Sequence, residues 1–190
     1  MIEAIKTEVT KKLKDHPKRL EHVFGVYETA VKLADIYQVS QENAGIAALF
    51  HDYTKYDPIE NQIKHLDLKT IKKYTTSPVM FHALSAAEEL KIMFKIENED
   101  ILNAIRYHVY GRTSMSIIEQ IIFISDYCEP NRKFTDTKYI FDLASKDLDL
   151  ATEYCMKLTI DDVRRNGLTP NEEQVNAYIY YQEVNRGKTK

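Results

Sequence analysis

A chain of 190 residues with 44% hydrophobic and 29% charged side chains has the profile of an ordinary water-soluble domain with enough chain for a sizeable core. Its formal net charge of -3 gives no global basic field, which argues against long nucleic acid as a partner, and no run approaches the roughly 18 to 20 apolar residues of a membrane span. The opening "MIEAIKTEVTKKLKDH" lacks the apolar centre of a signal peptide, and Cys128 and Cys155 form no CxxC pair, so a cytoplasmic chain with two packed thiols is expected.

Five glycines and five prolines, with no alternating strand-like segment, predict an all-α chain. No linker, repeat or low-complexity stretch interrupts it, so residues 1–190 read as one domain, with a core over 17–132 and C-terminal helices over 133–185. The first long helix starts near Pro17 and carries Val23, Val26, Tyr27, Ala30, Leu33, Ala34 and Tyr37 at three- and four-residue steps. "SQENAGIAALFHD" follows, with Ser40 as its cap, and "YTKYDPIENQIKHLDLKTIKKYTT" reads as loop plus short helices. Ser77 and Pro78 are expected to cap and start "VMFHALSAAEELKIMF", and "EDILNAIRYHVY" to run as a helix until Gly111. Ser116 and Glu119 have capping-box spacing ahead of "IIEQIIFISDYCE", which Pro130 closes. Two or three amphipathic helices fill 133–185, and "GKTK" is expected to fray. The Tyr-rich "NAYIYYQEV" reads first as core, with a homodimer face as the alternative.

Polar residues stand where this pattern calls for core. "AALFHDYTKYDP" places His51 and Asp52 at the end of an apolar run, and Asp126 follows "IIFIS". His108 shares a face with Ile101, Ala104 and Ile105; His22 flanks the first helix's apolar stripe, and His82 opens an Ala- and Phe-containing helix. A lone histidine of this kind is more often a hydrogen-bonded core residue than a ligand. Four of the six histidines with two aspartates form a set that divalent cations would compensate together. Mixed nitrogen and oxygen donors without thiolate suit iron, manganese, zinc or cobalt, and six ligands exceed what one zinc takes, so two ions are expected, with Asp52 between them. His16 and His65 receive no role.

The ordered series His22, His51-Asp52, His82, His108 and Asp126 resembles the HD-domain metal-dependent phosphohydrolases in their two-metal form. More narrowly, "RLEHVFGV", "ALFHDYTK", "FHALSAA", "AIRYHVYGR" and "MSIIEQIIFISDYCEPNR" resemble the YqeK-type bacterial HD hydrolases over residues 15 to 185. The resemblance implies a helical bundle around a buried dinuclear site, with iron as the metal. It also implies symmetrical cleavage of diadenosine tetraphosphate to two ADP by water activated between the metals. His22, His51, Asp52 and Asp126 would hold one ion, and His82 and His108 with bridging Asp52 the other. Val109-Tyr110 and Ser125 depart from the family pattern, which has two threonines and an alanine there.

An anionic substrate needs cations beside the metals. Lys55, three residues after Asp52, is expected at the reacting centre with Asp52, and Arg19 holds the equivalent place before His22. Arg112, Asn131 and Arg132, just beyond ligand-bearing helices, complete the expected substrate-binding set, and Tyr53, Tyr56, Tyr107 and Tyr110 are core residues first and base-stacking residues second. Other nucleotide phosphohydrolase activities, or a non-catalytic nucleotide or metal sensor, are the alternatives.

Overall fold

Small residues decide how this chain packs. The computed structural model describes residues 1–133 and 135–188. Among these residues every regular element is a helix: α1 (Ile2–Lys12), α2 (Pro17–Ile36), α3 (Gln41–Phe50), α4 (Ile59–Gln62), α5 (Leu68–Tyr74), α6 (Met80–Phe94), α7 (Glu99–Arg106), α8 (Ile117–Cys128), α9 (Thr137–Ala144), α10 (Leu148–Arg165) and α11 (Glu172–Lys188). None of them is long and apolar enough to cross a membrane.

Helix α3 is apolar all round, and Ala44 to Phe50 are all buried. Ala44, Gly45, Ala47 and Ala48 let α1, α2, α7 and α8 pack against it on several sides. Ser40 caps it as expected, its side chain accepting from the Asn43 N–H at 3.1 Å. Because α3 lies at the centre, the His51-Asp52 pair that follows it emerges inside the protein: His51 is 0% exposed and Asp52 2%. The capping box at Ser116 and Glu119 forms and starts α8 as predicted. Cys128 and Cys155 are both buried free thiols, and burial pushes Cys128 up to about 12.

Four details differ from the sequence reading. Residues 2–12 form α1, because Ile5, Val9 and Leu13 recur at four-residue steps and bury one face. Helix α6 starts at Met80; Ser77 does not cap it, because its hydroxyl accepts from Asn171 Nδ2 at 3.0 Å, and the Ser77 and Pro78 carbonyls take the first helical N–H groups instead. Helix α7 stops at Arg106, well short of Gly111, for a reason that lies in His108. Helix α11 continues to Lys188, held by its amine on Asp147 and Asp149, while Thr189 and Lys190 lie outside the described residues. Within α11, Ala177 and Tyr181 are core, with the Tyr181 hydroxyl accepting from the Met115 N–H at 3.0 Å.

Candidate metal centre

Five elements deliver polar groups to one point. His22 comes from the first turns of α2, His51 and Asp52 from the turn ending α3, His82 from the first turn of α6, His108 from the turn after α7, and Asp126 from the last turn of α8. Asp52 is the hub. Its Oδ1 lies 3.1 Å from His82 Nε2 and 3.7 Å from His108 Nε2, while its Oδ2 lies 3.4 Å from His51 Nε2 and 3.9 Å from His22 Nε2. Asp126 Oδ1 is 3.0 Å from His22 Nε2. Two overlapping groups could therefore hold a metal ion, His22-His51-Asp52 and Asp52-His82-His108, with Asp52 common to both and the donor atoms of each group within 4.8 Å of one another.

The ring orientations expose lone pairs to that point. His51 Nδ1 donates to the Ala48 carbonyl and His108 Nδ1 to the Ile105 carbonyl, each at 2.7 Å. Each bond takes the carbonyl three residues back, competes with continuation of the helix, and in the neutral ring keeps the proton on Nδ1 and leaves the Nε2 lone pair open. This explains why α7 ends before His108. His51 Nε2 and Asp52 Oδ1 are buried yet make no hydrogen bond, an arrangement that costs on the order of 1 to 3 kcal/mol per group unless something else satisfies them. A cation supplies what both lack, and a nitrogen and oxygen donor set without sulfur fits borderline transition metals.

Charge states agree. Burial pushes His82 down to about 4 and moves His108 in the same direction, so both rings are neutral and able to ligate at neutral pH. Burial opposes ionisation of Asp52, but His51, His108 and His82 outweigh it and hold the carboxyl well below the usual carboxylate range. Asp126 behaves alike against His22, Arg132 and His51. At 17% side-chain exposure Asp126 is less enclosed than the sequence suggests, and it faces an open cleft.

The sequence pattern of the HD domain family matches residues 19–131, which contain all six of these residues. The chain belongs to the HD-domain family. It is 39% identical over 137 residues to "Bis(5'-nucleosyl)-tetraphosphatase, symmetrical" of Halalkalibacterium halodurans, covering 69% of this chain and 71% of that one. A protein of the same description from Bacillus subtilis is 35% identical over 80% of this chain and 82% of its own. A crystal structure of a predicted HD superfamily hydrolase involved in NAD metabolism from Clostridium acetobutylicum superposes with a TM-score of 0.87 at 32% identity, covering 97% of this chain and 98% of that one.

Around the HD centre the expected substrate-binding residues divide. Lys55 projects over it, its amine 3.1 Å from His82 Nε2 and 3.5 Å from Asp52 Oδ1. Arg19 donates to Asp52 Oδ2 at 2.7 Å. The Arg132 guanidinium meets the Asp126 carboxylate and lies 3.4 Å from His22 Nε2. Arg19, Asn131 and Arg132, with Lys18, Lys133 and Tyr56, line an open basic cleft of about 590 Å³ that reaches His22. Arg112 is engaged elsewhere: its Nε and Nη2 both donate to Glu119 at 2.6 Å, so it braces the capping box of α8 and does not line the basic cleft. We expect Arg112→Ala to lower stability by about 1 to 3 kcal/mol, because Glu119 is left buried without its ion-pair partner, while metal content and turnover stay unchanged. Thermal unfolding beside a metal assay checks this.

The sequence reading missed Glu129. Only 1% exposed, it lies behind His22, with Oε1 3.1 Å from His22 Nδ1 and Oε2 accepting from the Asn131 N–H at 2.7 Å. A carboxylate on Nδ1 orients the ring and makes Nε2 the ligating atom. Its position just before Pro130, past the end of α8, suggested only a helix terminus. Of the four tyrosines, Tyr53 is core and donates to Glu8, whereas Tyr56 is 50% exposed and stacks on His16 at 3.8 Å.

Proposed function

We propose that the chain is a cytoplasmic metal-dependent phosphohydrolase that cleaves a symmetrical dinucleoside tetraphosphate, diadenosine tetraphosphate first, into two ADP. The observation that carries this reading is the pair of ligand groups sharing Asp52, with unsatisfied lone pairs inside and a basic cleft alongside. The names carried by relatives over most of the chain support the substrate. His22, His51, Asp52 and Asp126 would hold one ion and Asp52, His82 and His108 the other. Donor type suits iron, manganese, cobalt or zinc, and iron is placed first because the resemblance to the YqeK-type hydrolases implies it. When bound, two such ions lower the pKa of water and take up charge on phosphate oxygens.

The chain's own groups do the rest. Lys18, Arg19, Arg132 and Lys133 give the tetraphosphate a positive channel beside His22. Lys55, which lies against both Asp52 and His82, reaches the phosphate being cleaved. Water adds to one inner phosphorus of the central anhydride, and the bridging oxygen leaves with the other half, so the two products are identical. We expect Lys55→Ala to keep its metal and lose about 10- to 100-fold in kcat/KM, since a charged contact to the substrate disappears without loss of a ligand. Unchanged kinetics would remove Lys55 from the site.

The deciding test is anaerobic purification with metal quantification, followed by product analysis on diadenosine tetraphosphate. About two metals per chain and ADP as sole product support the proposal. AMP plus ATP would contradict symmetrical cleavage, and bound metal without turnover would move the search to other nucleotides or to a sensor role.

A further inference from the structure

A second cleft, of about 480 Å³, also reaches the centre, and its chemistry differs from the basic one. Its floor contains Lys55, His108 and Asp126, so an occupant touches the same reacting point. Its walls are largely apolar: Pro78 and Val79 ahead of α6, Val109 and Tyr110 after α7, Val163 on α10 and Leu168 in the α10–α11 loop. Val79 is 44% exposed and Leu168 65%, which leaves apolar surface uncovered at the rim of a highly charged centre.

One polar group within this lining stands out. Gln174 on α11 is only 3% exposed. Its Oε1 accepts from the Asn171 N–H at 3.2 Å, which fixes which end of the amide is which, because a backbone N–H can only donate. The other end, Nε2, is buried without a hydrogen-bond partner among the described residues. An unpaired amide donor among apolar walls is the arrangement that a flat, largely apolar ring with acceptor nitrogens would complete.

The clefts also adjoin. Arg132 lines both the basic cleft and a middle one of about 500 Å³, and Asp126, Tyr127, Thr159 and Val163 line both the middle cleft and the apolar one. A long molecule with phosphates along Arg132 and Asp126 can therefore place a ring at the apolar end.

We propose that the cleft between the α6 start, the turn after α7 and the α10–α11 loop is a nucleobase subsite, with the Gln174 amide turning from its buried place to donate through Nε2 to a ring acceptor of the base. This rests on the nucleotide-hydrolase reading above and adds the residue that reads the base. Gln174 and Leu168 lie beyond residues 19–131, so this selectivity is carried outside the matched HD segment.

The test compares ADP and inorganic pyrophosphate binding to the metal-loaded full chain by calorimetry, for wild type, Gln174→Glu and Leu168→Ser. Glutamate keeps the acceptor for Asn171, removes the donor and adds a charge that acts on both anionic probes, so ADP is read relative to pyrophosphate, and Leu168 is exposed enough for serine to leave the fold intact. Both variants are expected to lose about tenfold in ADP affinity relative to pyrophosphate, with metal content unchanged. Equal ADP affinity in all three proteins, or ADP and pyrophosphate weakened by one common factor, would overturn the subsite. If wild type binds pyrophosphate but no nucleotide, the nucleotide reading falls with it, whereas normal ADP release from diadenosine tetraphosphate with both variants unaffected sinks the subsite alone.

Discussion

An Asp52→Ala chain is expected to lose bound metal and hydrolytic activity together, with turnover down by at least ~10³-fold, about 4 kcal/mol of barrier. Both candidate ligand groups contain Asp52, so no other single substitution removes a ligand from each. The carboxylate also compensates Arg19, whose guanidinium lies 2.7 Å from Oδ2, and faces four imidazole nitrogens within 3.9 Å. Its loss removes the ion-pair partner of Arg19 and the carboxylate that the His51, His82 and His108 rings share. Metal analysis of protein purified in parallel with wild type, beside ADP release, provides the check. Full activity in this variant would rule out a centre bridged by Asp52. Retention of one metal with partial activity would show that each histidine group can ligate without the shared oxygen.

The second large effect concerns Glu129. Replacing it with alanine is expected to weaken metal affinity by about 10- to 100-fold, the usual cost of removing a carboxylate that orients a ligating histidine. Glu129→Gln retains an oxygen for His22 Nδ1 and should recover most of that loss, which separates orientation of the ring from bulk packing. Gly25 supplies an independent route to the same outcome. A Cβ at this position would lie 2.4 Å from Glu129 Oε2 and 3.3 Å from Asn131 Nδ2. Gly25→Ala therefore has to push the carboxylate off its place in the closely packed space between α2 and the end of α8, costing about 1 to 3 kcal/mol of stability as well as metal affinity. Titrating metal into the stripped proteins, alongside thermal unfolding, tests both variants. An alanine variant at 129 that binds metal like wild type would reduce Glu129 to a packing residue.

The HD pattern explains why so much was readable in advance. Each of the six residues sits at a point where apolar periodicity and residue polarity disagree, as at "AALFHD" and "IIFISD", and a carboxylate or imidazole in such a place needs a partner whatever the fold. Helix existence was legible for the same reason: α2 and α8 carry long apolar stripes, and Ser40 and Ser116 carry cap chemistry that is local in sequence. Local chemistry also misled. Ser77 before Pro78 has the form of a cap, but Asn171, far along the chain, takes its hydroxyl. Arg112 lies next to a ligand-bearing turn, but a buried Glu119 claims it.

The sequence by itself determined that the chain is helical and which six polar residues stand where apolar periodicity calls for core. Those properties follow from residue type and spacing within one helix or turn. The tertiary structure alone decided how the rings divide between the two oxygens of Asp52, that Glu129 holds His22 from behind, and that a basic and an apolar cleft flank the same centre. Each of these joins residues from elements distant in sequence, and such pairings depend on how α2, α3, α6, α7, α8 and α11 pack, which no local spacing encodes.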